Sequence, residues 1–181
     1  MKLLLHTCCA PCSVKCIEIL RNEGIEVTGF WYNTNIHPKT EYLRRLDTLI
    51  SYAENIALSL EIIDEYGLRS FVSAVSNDLE ARCDYCYMRR VEKTAQFASQ
   101  NGYEAFSTTL LISPYQNHDK IIKYAQLMSE KNGIEFVYRD FRPHFREGQS
   151  KAREMGLYMQ KYCGCIYSEE ERYAGLKHYK G

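Results

Sequence analysis

Short apolar runs alternate with longer segments of helical periodicity along the chain. The runs are rich in leucine, β-branched or aromatic residues, which predicts strands. We expect these strands at residues 2–6, 26–32, 60–63, 104–108 and 135–138. Between them, apolar positions recur every three or four residues, which predicts amphipathic helices. We expect these helices at residues 12–22, 40–58, 68–75, 84–100 and 118–131.

Strands that alternate with helices predict βαβ units and a mostly parallel sheet with helices on both faces. We therefore expect an α/β fold, a Rossmann-like doubly wound sheet of about five strands. The segment from residue 142 onwards is expected to be largely helical. A length of 181 residues suggests a single domain spanning residues 1–181. In such sheets, ligands bind beyond the carboxyl ends of the strands, near the point where strand order reverses.

Composition limits the classes of function. The chain has 23 basic and 23 acidic residues, so no net charge points to a nucleic acid or membrane partner. No apolar stretch is long enough to span a bilayer, and the N-terminus does not resemble a signal peptide. We expect a cytoplasmic protein. Its eight cysteines then favour metal ligands or redox thiols over structural disulfides.

Seven of the cysteines fall into three clusters. These are Cys8, Cys9 and Cys12, then Cys83 and Cys86, and finally Cys163 and Cys165. The first cluster directly follows the first predicted strand, which places it at the expected crevice. The separate Cys16 is interpreted as a small buried apolar residue, with ligation as the alternative.

The first two clusters have the character of metal ligands. Adjacent Cys8 and Cys9 are poor disulfide partners, and Cys83 and Cys86 lie near a predicted helix start, where thiolates are favoured. Four thiolates from two segments suit either a structural zinc or a [4Fe–4S] cluster. Their expected position in the crevice favours a functional cluster on Cys8, Cys9, Cys83 and Cys86, with Cys12 as a reserve ligand.

The third cluster, Cys163-Gly164-Cys165, is open to two interpretations. A Cys-x-Cys disulfide closes a small strained ring, and Gly164 offers the backbone freedom that this ring needs. Strained disulfides tend to be catalytic or regulatory, which predicts a redox pair. The alternative is that both thiols are further metal ligands.

Three motifs together resemble a known family. HTCCAPCS near the N-terminus, CDYCYMRR in the middle and FREGQSKAREMGLYMQKYCGCIYS near the end are similar to the QueH-type epoxyqueuosine reductases. The resemblance covers nearly the whole chain. It implies reduction of epoxyqueuosine to queuosine at the tRNA wobble position, with an iron–sulfur cluster and without cobalamin.

This family is in turn similar to PP-loop nucleotide hydrolases of the HUP fold type. Here the glycines of the ATP-binding loop are missing, and Pro11 removes an N–H donor, so we expect no ATP binding. Two other functions stay open: a zinc-stapled RNA-binding module, and an ATP-dependent tRNA thiolase that uses a cysteine persulfide.

The resemblance suggests roles for further residues. Cys163 and Cys165 would supply a two-electron dithiol couple for a reaction that a one-electron cluster cannot complete alone. Asp84 would donate a proton or hold an additional iron ion, unless it only caps the following helix. The tRNA would be held by arginines interleaved with aromatic residues, and the electron donor is unidentified. The tRNA-binding candidates are Arg139, Arg142, Arg146, Arg89 and Arg90.

Overall fold

The chain folds around a five-stranded parallel sheet in the computed structural model, which describes residues 1–175. The strands are β1 (Lys2–His6), β2 (Glu26–Trp31), β3 (Leu60–Ile62), β4 (Ala105–Thr108) and β5 (Glu135–Phe136). They lie in the order β3-β2-β1-β4-β5, and every neighbouring pair is parallel. The predicted α/β, doubly wound fold is confirmed. The single domain predicted for residues 1–181 stays a prediction, and residues 176–181 lie outside the described part.

The helices connect and cover these strands. They are α1 (Ala10–Asn22), α2 (Lys39–Asn55), α3 (Leu68–Val75), α4 (Arg82–Gln100), α5 (His118–Asn132), α6 (Phe145–Glu154) and α7 (Ile166–Tyr173). Short 3-10 turns occupy Thr109–Ile112 and Arg142–His144. Helix α1 begins two residues earlier than predicted because Pro11 fits the first turn, where no N–H donor is needed. Helix α2 ends before residue 58, since Ala57 has a positive φ of 49°.

The sheet buries both of its faces, as its central strand shows. Leu3 and Leu5 of β1 belong to the apolar cluster that α1 and α2 share, whereas Leu4 belongs to the cluster on the α4 and α5 side. All three leucines have no exposed surface. This arrangement explains why β1 is a continuous apolar run instead of an alternating one.

Strand order reverses at β1, which pairs with β2 on one side and with β4 on the other. The crevice beyond the carboxyl ends of β1 and β4 is therefore the expected ligand site. Cys8 lies in this crevice, where its backbone N–H donates to Thr109 Oγ1 at 3.2 Å. Among residues 1–175, no helix combines the length and the apolar composition that are needed to span a bilayer.

Candidate metal and redox site

Three cysteines come together where β1 leads into α1. Cys8 and Cys9 occupy the connection, and Cys12 lies in the first turn of α1. The three sulfur atoms lie within 4.8 Å of one another, and the Cys8 and Cys9 sulfurs are 3.8 Å apart. Among residues 1–175 they form a thiol group with the spacing to hold a metal ion. Cys12, the predicted reserve ligand, thus lies in one group with Cys8 and Cys9, and the ligand set itself stays a prediction.

The three thiols share charge unequally. Hydrogen bonds from Cys12 and Cys9 hold the pKa of Cys8 well below its ordinary value. Burial raises the pKa of Cys9, and interaction with Cys8 raises that of Cys12. One thiolate thus lies beside two thiols that a cation would convert into thiolates, with release of protons.

Two side chains outside the trio donate hydrogen bonds to its sulfurs. Gln160 Nε2 lies 2.9 Å from Cys9 Sγ and 3.7 Å from Cys12 Sγ. The Thr109 hydroxyl lies 3.4 Å from Cys8 Sγ. Donors of this kind stabilise negative charge on sulfur, and around metal centres they tune the reduction potential.

The other four clustered cysteines share a second site. Cys83 and Cys86 lie nearly one turn apart in α4 and face a cavity that Cys163 and Cys165 also line. Burial raises the pKa of Cys83, and raises that of Cys86 to about 12. The four predicted cluster ligands thus fall into two groups. Cys8 and Cys9 lie beside Cys12, whereas Cys83 and Cys86 lie beside Cys163 and Cys165.

Arg90 lies between the two thiol groups. Its guanidinium donates to Cys86 Sγ at 2.9 Å and to the Cys86 carbonyl at 3.1 Å. Burial opposes its charge, but the thiols of Cys86, Cys8 and Cys163 raise its pKa overall. Only 4% of Arg90 is exposed, so the structure places it inside the thiol site and away from the surface predicted to hold tRNA.

The Cys163-Gly164-Cys165 loop is held by buried polar contacts. Arg45 donates to the Cys163 carbonyl at 2.9 Å, and the His37 backbone N–H donates to the Gly164 carbonyl at 2.8 Å. Gly164 has a positive φ of 148°, and a Cβ there would lie 3.2 Å from Ile36 Cγ1. Glycine is therefore needed at this position for conformation and for space.

The two cysteines of this loop differ in environment. Cys163 is exposed, whereas Cys165 is buried at the start of α7, where its sulfur accepts from the Ser168 N–H at 3.4 Å. Interaction with the Cys165 thiol lowers the pKa of Cys163 to about 5 and raises that of Cys165. An accessible thiolate beside a protonated thiol has the character of a redox pair. Both are free thiols here, so the predicted disulfide stays a prediction.

Asp84 lies on another side of α4. Its carboxylate accepts from Lys120 Nζ at 2.9 Å and from the Tyr124 hydroxyl at 2.8 Å, both on α5. Burial raises the pKa of Asp84, but these two hydrogen bonds lower it, and the pKa stays below its ordinary value overall. The helix cap is Ala81, so the capping alternative for Asp84 is wrong. Its catalytic role stays a prediction, but the structure does not bring it to the cavity that Cys83 and Cys86 face.

The other predicted tRNA-binding arginines lie at the surface, several of them in ion pairs. Arg139 pairs with Glu23 at 3.0 Å, and Arg142 pairs with Asp140 at 2.7 Å. Arg89 donates to the Tyr32 hydroxyl at 3.2 Å.

Arg146 is exposed and lies next to Phe145, whose ring meets the edge of the Tyr115 ring. Tyr115 is 85% exposed, and the following residue, Gln116, lines the cavity of Cys83 and Cys86. A role for Arg146 in binding tRNA stays a prediction.

The residues that support the thiols were not identified from the sequence. Asn35 and His37 come from the loop between β2 and α2, Arg45 from α2 and Gln160 from the segment before α7, and they converge only in the fold. The one available signal was that Gln160 lies three residues before Cys163, inside the motif near the end of the chain.

The fold and the site together define a doubly wound α/β protein with a cysteine centre at its topological switch point. A predicted subunit of a tRNA methyltransferase from Methanocaldococcus jannaschii has a similar structure. Its TM-score is 0.53 at 13% sequence identity, over 83% of this chain and 76% of that one. This likeness shows the fold alone.

Sequence comparison identifies the family. Residues 3–171 match the family described as epoxyqueuosine reductase QueH. An epoxyqueuosine reductase QueH of Dehalococcoides mccartyi is 36% identical, over 95% of this chain and 94% of the relative. One of Thermotoga maritima is also 36% identical, over 93% of this chain and 91% of the relative. The chain belongs to the epoxyqueuosine reductase QueH family.

Proposed function

We propose that the protein is an epoxyqueuosine reductase, an oxidoreductase that converts epoxyqueuosine to queuosine at the wobble position of tRNA. The observation that carries this proposal is the convergence of seven thiols in two adjoining groups at the carboxyl edge of the sheet. Membership of the family supports this reaction, and the two thiol groups are the proposed site at which it occurs.

The reaction sets the requirements for the site. Both C–O bonds of the epoxide break, a C=C bond forms, and the oxygen leaves as water after taking up two protons. Two electrons must be supplied by a reductant, which we take to be a one-electron carrier protein of unidentified type. The site must therefore hold a redox centre, bind the oxygen and admit protons.

The trio of Cys8, Cys9 and Cys12 fits an iron–sulfur centre. Soft thiolates in this number and spacing suit iron–sulfur clusters, and Gln160 and Thr109 supply donors to the sulfurs. We propose a [4Fe–4S] cluster held by this trio with a fourth ligand from the Cys83–Cys86 side. Such a cluster supplies electrons one at a time.

The Cys83 and Cys86 pair provides the remaining soft ligands. Both sulfurs are close to the charge of Arg90, which favours their thiolate forms against burial. One sulfur of this pair would complete the cluster, and the other would be available as a thiolate ligand to an additional iron ion.

Cys163 and Cys165 are proposed as the dithiol that passes both electrons to the substrate and is then reduced again by electrons from the carrier protein. Oxidation of this dithiol to a disulfide releases two electrons and two protons, the amounts that removal of the oxygen consumes. The low pKa of the exposed Cys163 supports its role as the attacking thiolate.

The tRNA is proposed to approach over the loop after β4. Tyr115 offers an exposed ring for stacking of an unpaired base, and Arg146 offers a cation for the phosphate backbone. The modified base would then flip towards the cavity, as base-modifying enzymes require. A tRNA substrate and eight reduced thiols also favour a cytoplasmic location.

The reaction itself tests the proposal. Anaerobically reconstituted protein is incubated with epoxyqueuosine-containing tRNA and a chemical reductant, and nucleosides are identified by mass spectrometry. We expect queuosine to form only with protein and reductant together. ATP-dependent incorporation of sulfur, or intact epoxyqueuosine in iron-loaded samples, would contradict the proposal.

A further inference from the structure

The cavity beside Cys83 and Cys86 contains three buried polar side chains in addition to its thiols. Of these, Arg82 is paired with Glu171, and the other two are Arg90 and Asn35. Arg90 extends into it from α4, and Asn35 reaches it from the loop between β2 and α2. Each of them is 4% exposed. Buried polar groups normally have partners, so these two indicate what the cavity binds.

Arg90 brings a full charge into this cavity without a carboxylate to balance it. Among residues 1–175, no acidic side chain lies within ion-pair distance of its guanidinium. Its two bonds to Cys86 use two of the five N–H donors of a guanidinium. Beside the sulfur of Cys86, this buried guanidinium also favours a ligand atom that accepts a hydrogen bond and develops negative charge.

Asn35 offers the complementary group. Its Oδ1 atom is buried and accepts no hydrogen bond from any residue in the range 1–175. Leaving a buried acceptor unpaired is unfavourable. The cavity therefore favours a ligand with a hydroxyl or amine donor near its electron-rich oxygen.

The substrate of the proposed function carries both groups on one ring. Its cyclopentane ring bears the epoxide oxygen, which is an acceptor, and hydroxyl groups, which are donors. We propose that the epoxide edge of the cyclopentane ring enters this cavity, with Arg90 donating to the epoxide oxygen and Asn35 Oδ1 accepting from a ring hydroxyl. This inference rests on the proposed function and assigns residues to its substrate.

The assignment gives Arg90 a catalytic role. When a C–O bond of the epoxide breaks, the bonding electron pair moves to the oxygen, and a nearby guanidinium stabilises the resulting charge. Fixed donors at such an oxygen typically contribute about 100-fold to 1000-fold in kcat. Asn35 contacts a group that does not react, so it contributes to binding in the ground state and the transition state alike.

The first experiment separates these roles by kinetics. In Arg90→Lys the charge is kept but the paired donors are lost, and we expect kcat to fall by about 100-fold with KM nearly unchanged. Iron and sulfide contents should match those of the wild type, and any shift in midpoint potential from the lost bond to Cys86 Sγ should be too small to account for the loss of rate. The control is Arg69→Lys on the exposed face of α3, which should leave kcat, KM, the iron and sulfide contents and the midpoint potential unchanged.

A second pair of variants tests Asn35. Asn35→Leu removes the acceptor and should raise KM by about tenfold with little change in kcat. Asn35→Asp retains an acceptor oxygen and should recover part of the affinity. Asn55→Leu, at the exposed end of α2, is the matched control.

Three results would overturn the inference. These are a wild-type kcat in iron-loaded Arg90→Lys, a shifted midpoint potential that accounts for its loss of rate, and an unchanged KM in Asn35→Leu. Loss of iron from Arg90→Lys would likewise assign Arg90 to the metal centre instead of the substrate. Failure of the proposed function is distinguishable, because the wild-type protein would then leave epoxyqueuosine unconverted.

Discussion

Arg45 is expected to stabilise both the fold and the Cys163-Gly164-Cys165 loop. It is 2% exposed, and its Nε donates to Glu41 at 2.7 Å. Its two terminal nitrogens donate to the carbonyls of Cys163 and Tyr162 at 2.9 and 3.0 Å. The change Arg45→Met removes these contacts while keeping much of the side-chain volume, and it leaves the Glu41 carboxylate buried without its cation.

Breaking a buried ion pair by removing one partner costs about 3–5 kcal/mol. In a domain of this size, each kcal/mol lowers Tm by about 2–4 °C. We therefore expect Arg45→Met to lose about 3–5 kcal/mol in urea unfolding followed by circular dichroism under anaerobic conditions. The double variant Glu41→Gln/Arg45→Met should recover part of this loss, because no unpaired charge is then buried.

The neighbouring Arg44 is a matched control. It is exposed, and its guanidinium lies 3.8 Å from the Tyr158 ring centroid, a contact that contributes about 0.5–1 kcal/mol at the surface. Arg44→Met should therefore change stability by about 1 kcal/mol or less. If Arg45→Met were no more destabilising than Arg44→Met, the proposed role of this ion pair in holding the loop would be refuted.

Three further predictions concern the site and its surroundings. Serine in place of Cys163 or Cys165 should abolish turnover and leave the iron content unchanged; loss of iron in either variant would make that residue a metal ligand. Because burial lowers the pKa of His37 from 6.5 to about 4, the unfolded chain binds its proton first. The contribution of neutral His37 to the free energy of unfolding is therefore fully present above pH 6.5. It falls by up to roughly 3 kcal/mol as the pH approaches 4. His37→Gln should flatten the pH profile of urea unfolding in this range, and an unchanged profile would count against the assignment. Gln160→Leu removes the N–H donor to Cys9, so the midpoint potential of the metal centre should become more negative in a redox titration followed by electron paramagnetic resonance. Equal potentials would show that this bond does not tune the centre.

The strand pattern was sufficient to predict the fold, because each strand of a buried parallel sheet is a short apolar run. β1 matched its predicted bounds, while β5 ends at Phe136, two residues earlier than predicted. The order of strands was not predicted, since order depends on how helices pack between strands. It became visible only in the pairing of β1 with both β2 and β4.

Residues of the site were predicted where chemistry is evident in the local sequence. The three cysteine clusters are visible as motifs, but their grouping depends on long-range contacts. Cys12 joins Cys8 and Cys9 because the first turn of α1 carries its sulfur back towards theirs. The position of Asp84, next to Cys83, suggested a shared site, although a step of one residue along a helix turns the side chain by about 100°.

Arg90 illustrates a second limit. Its sequence neighbourhood of basic residues predicted a surface for tRNA, whereas burial of its guanidinium against Cys86 gives it a place in the thiol site. A basic residue on an amphipathic helix can lie on either face, and only packing against other segments distinguishes the two. Asn35 lies in a loop and belongs to no recognisable motif, so its place in the cavity could not be predicted from the sequence either.

The central claim is that Cys8, Cys9 and Cys12 hold an iron–sulfur cluster that serves the reduction. The most direct measurement is the iron and sulfide content of anaerobically purified protein, compared with Cys12→Ala and with Cys16→Ala, a buried cysteine one turn further along α1. We predict about four iron and about four sulfide per chain in the wild type and in Cys16→Ala, as a [4Fe–4S] cluster requires, and loss of the cluster in Cys12→Ala. A colourless wild-type protein containing zinc, or a complete cluster in Cys12→Ala, would contradict the claim.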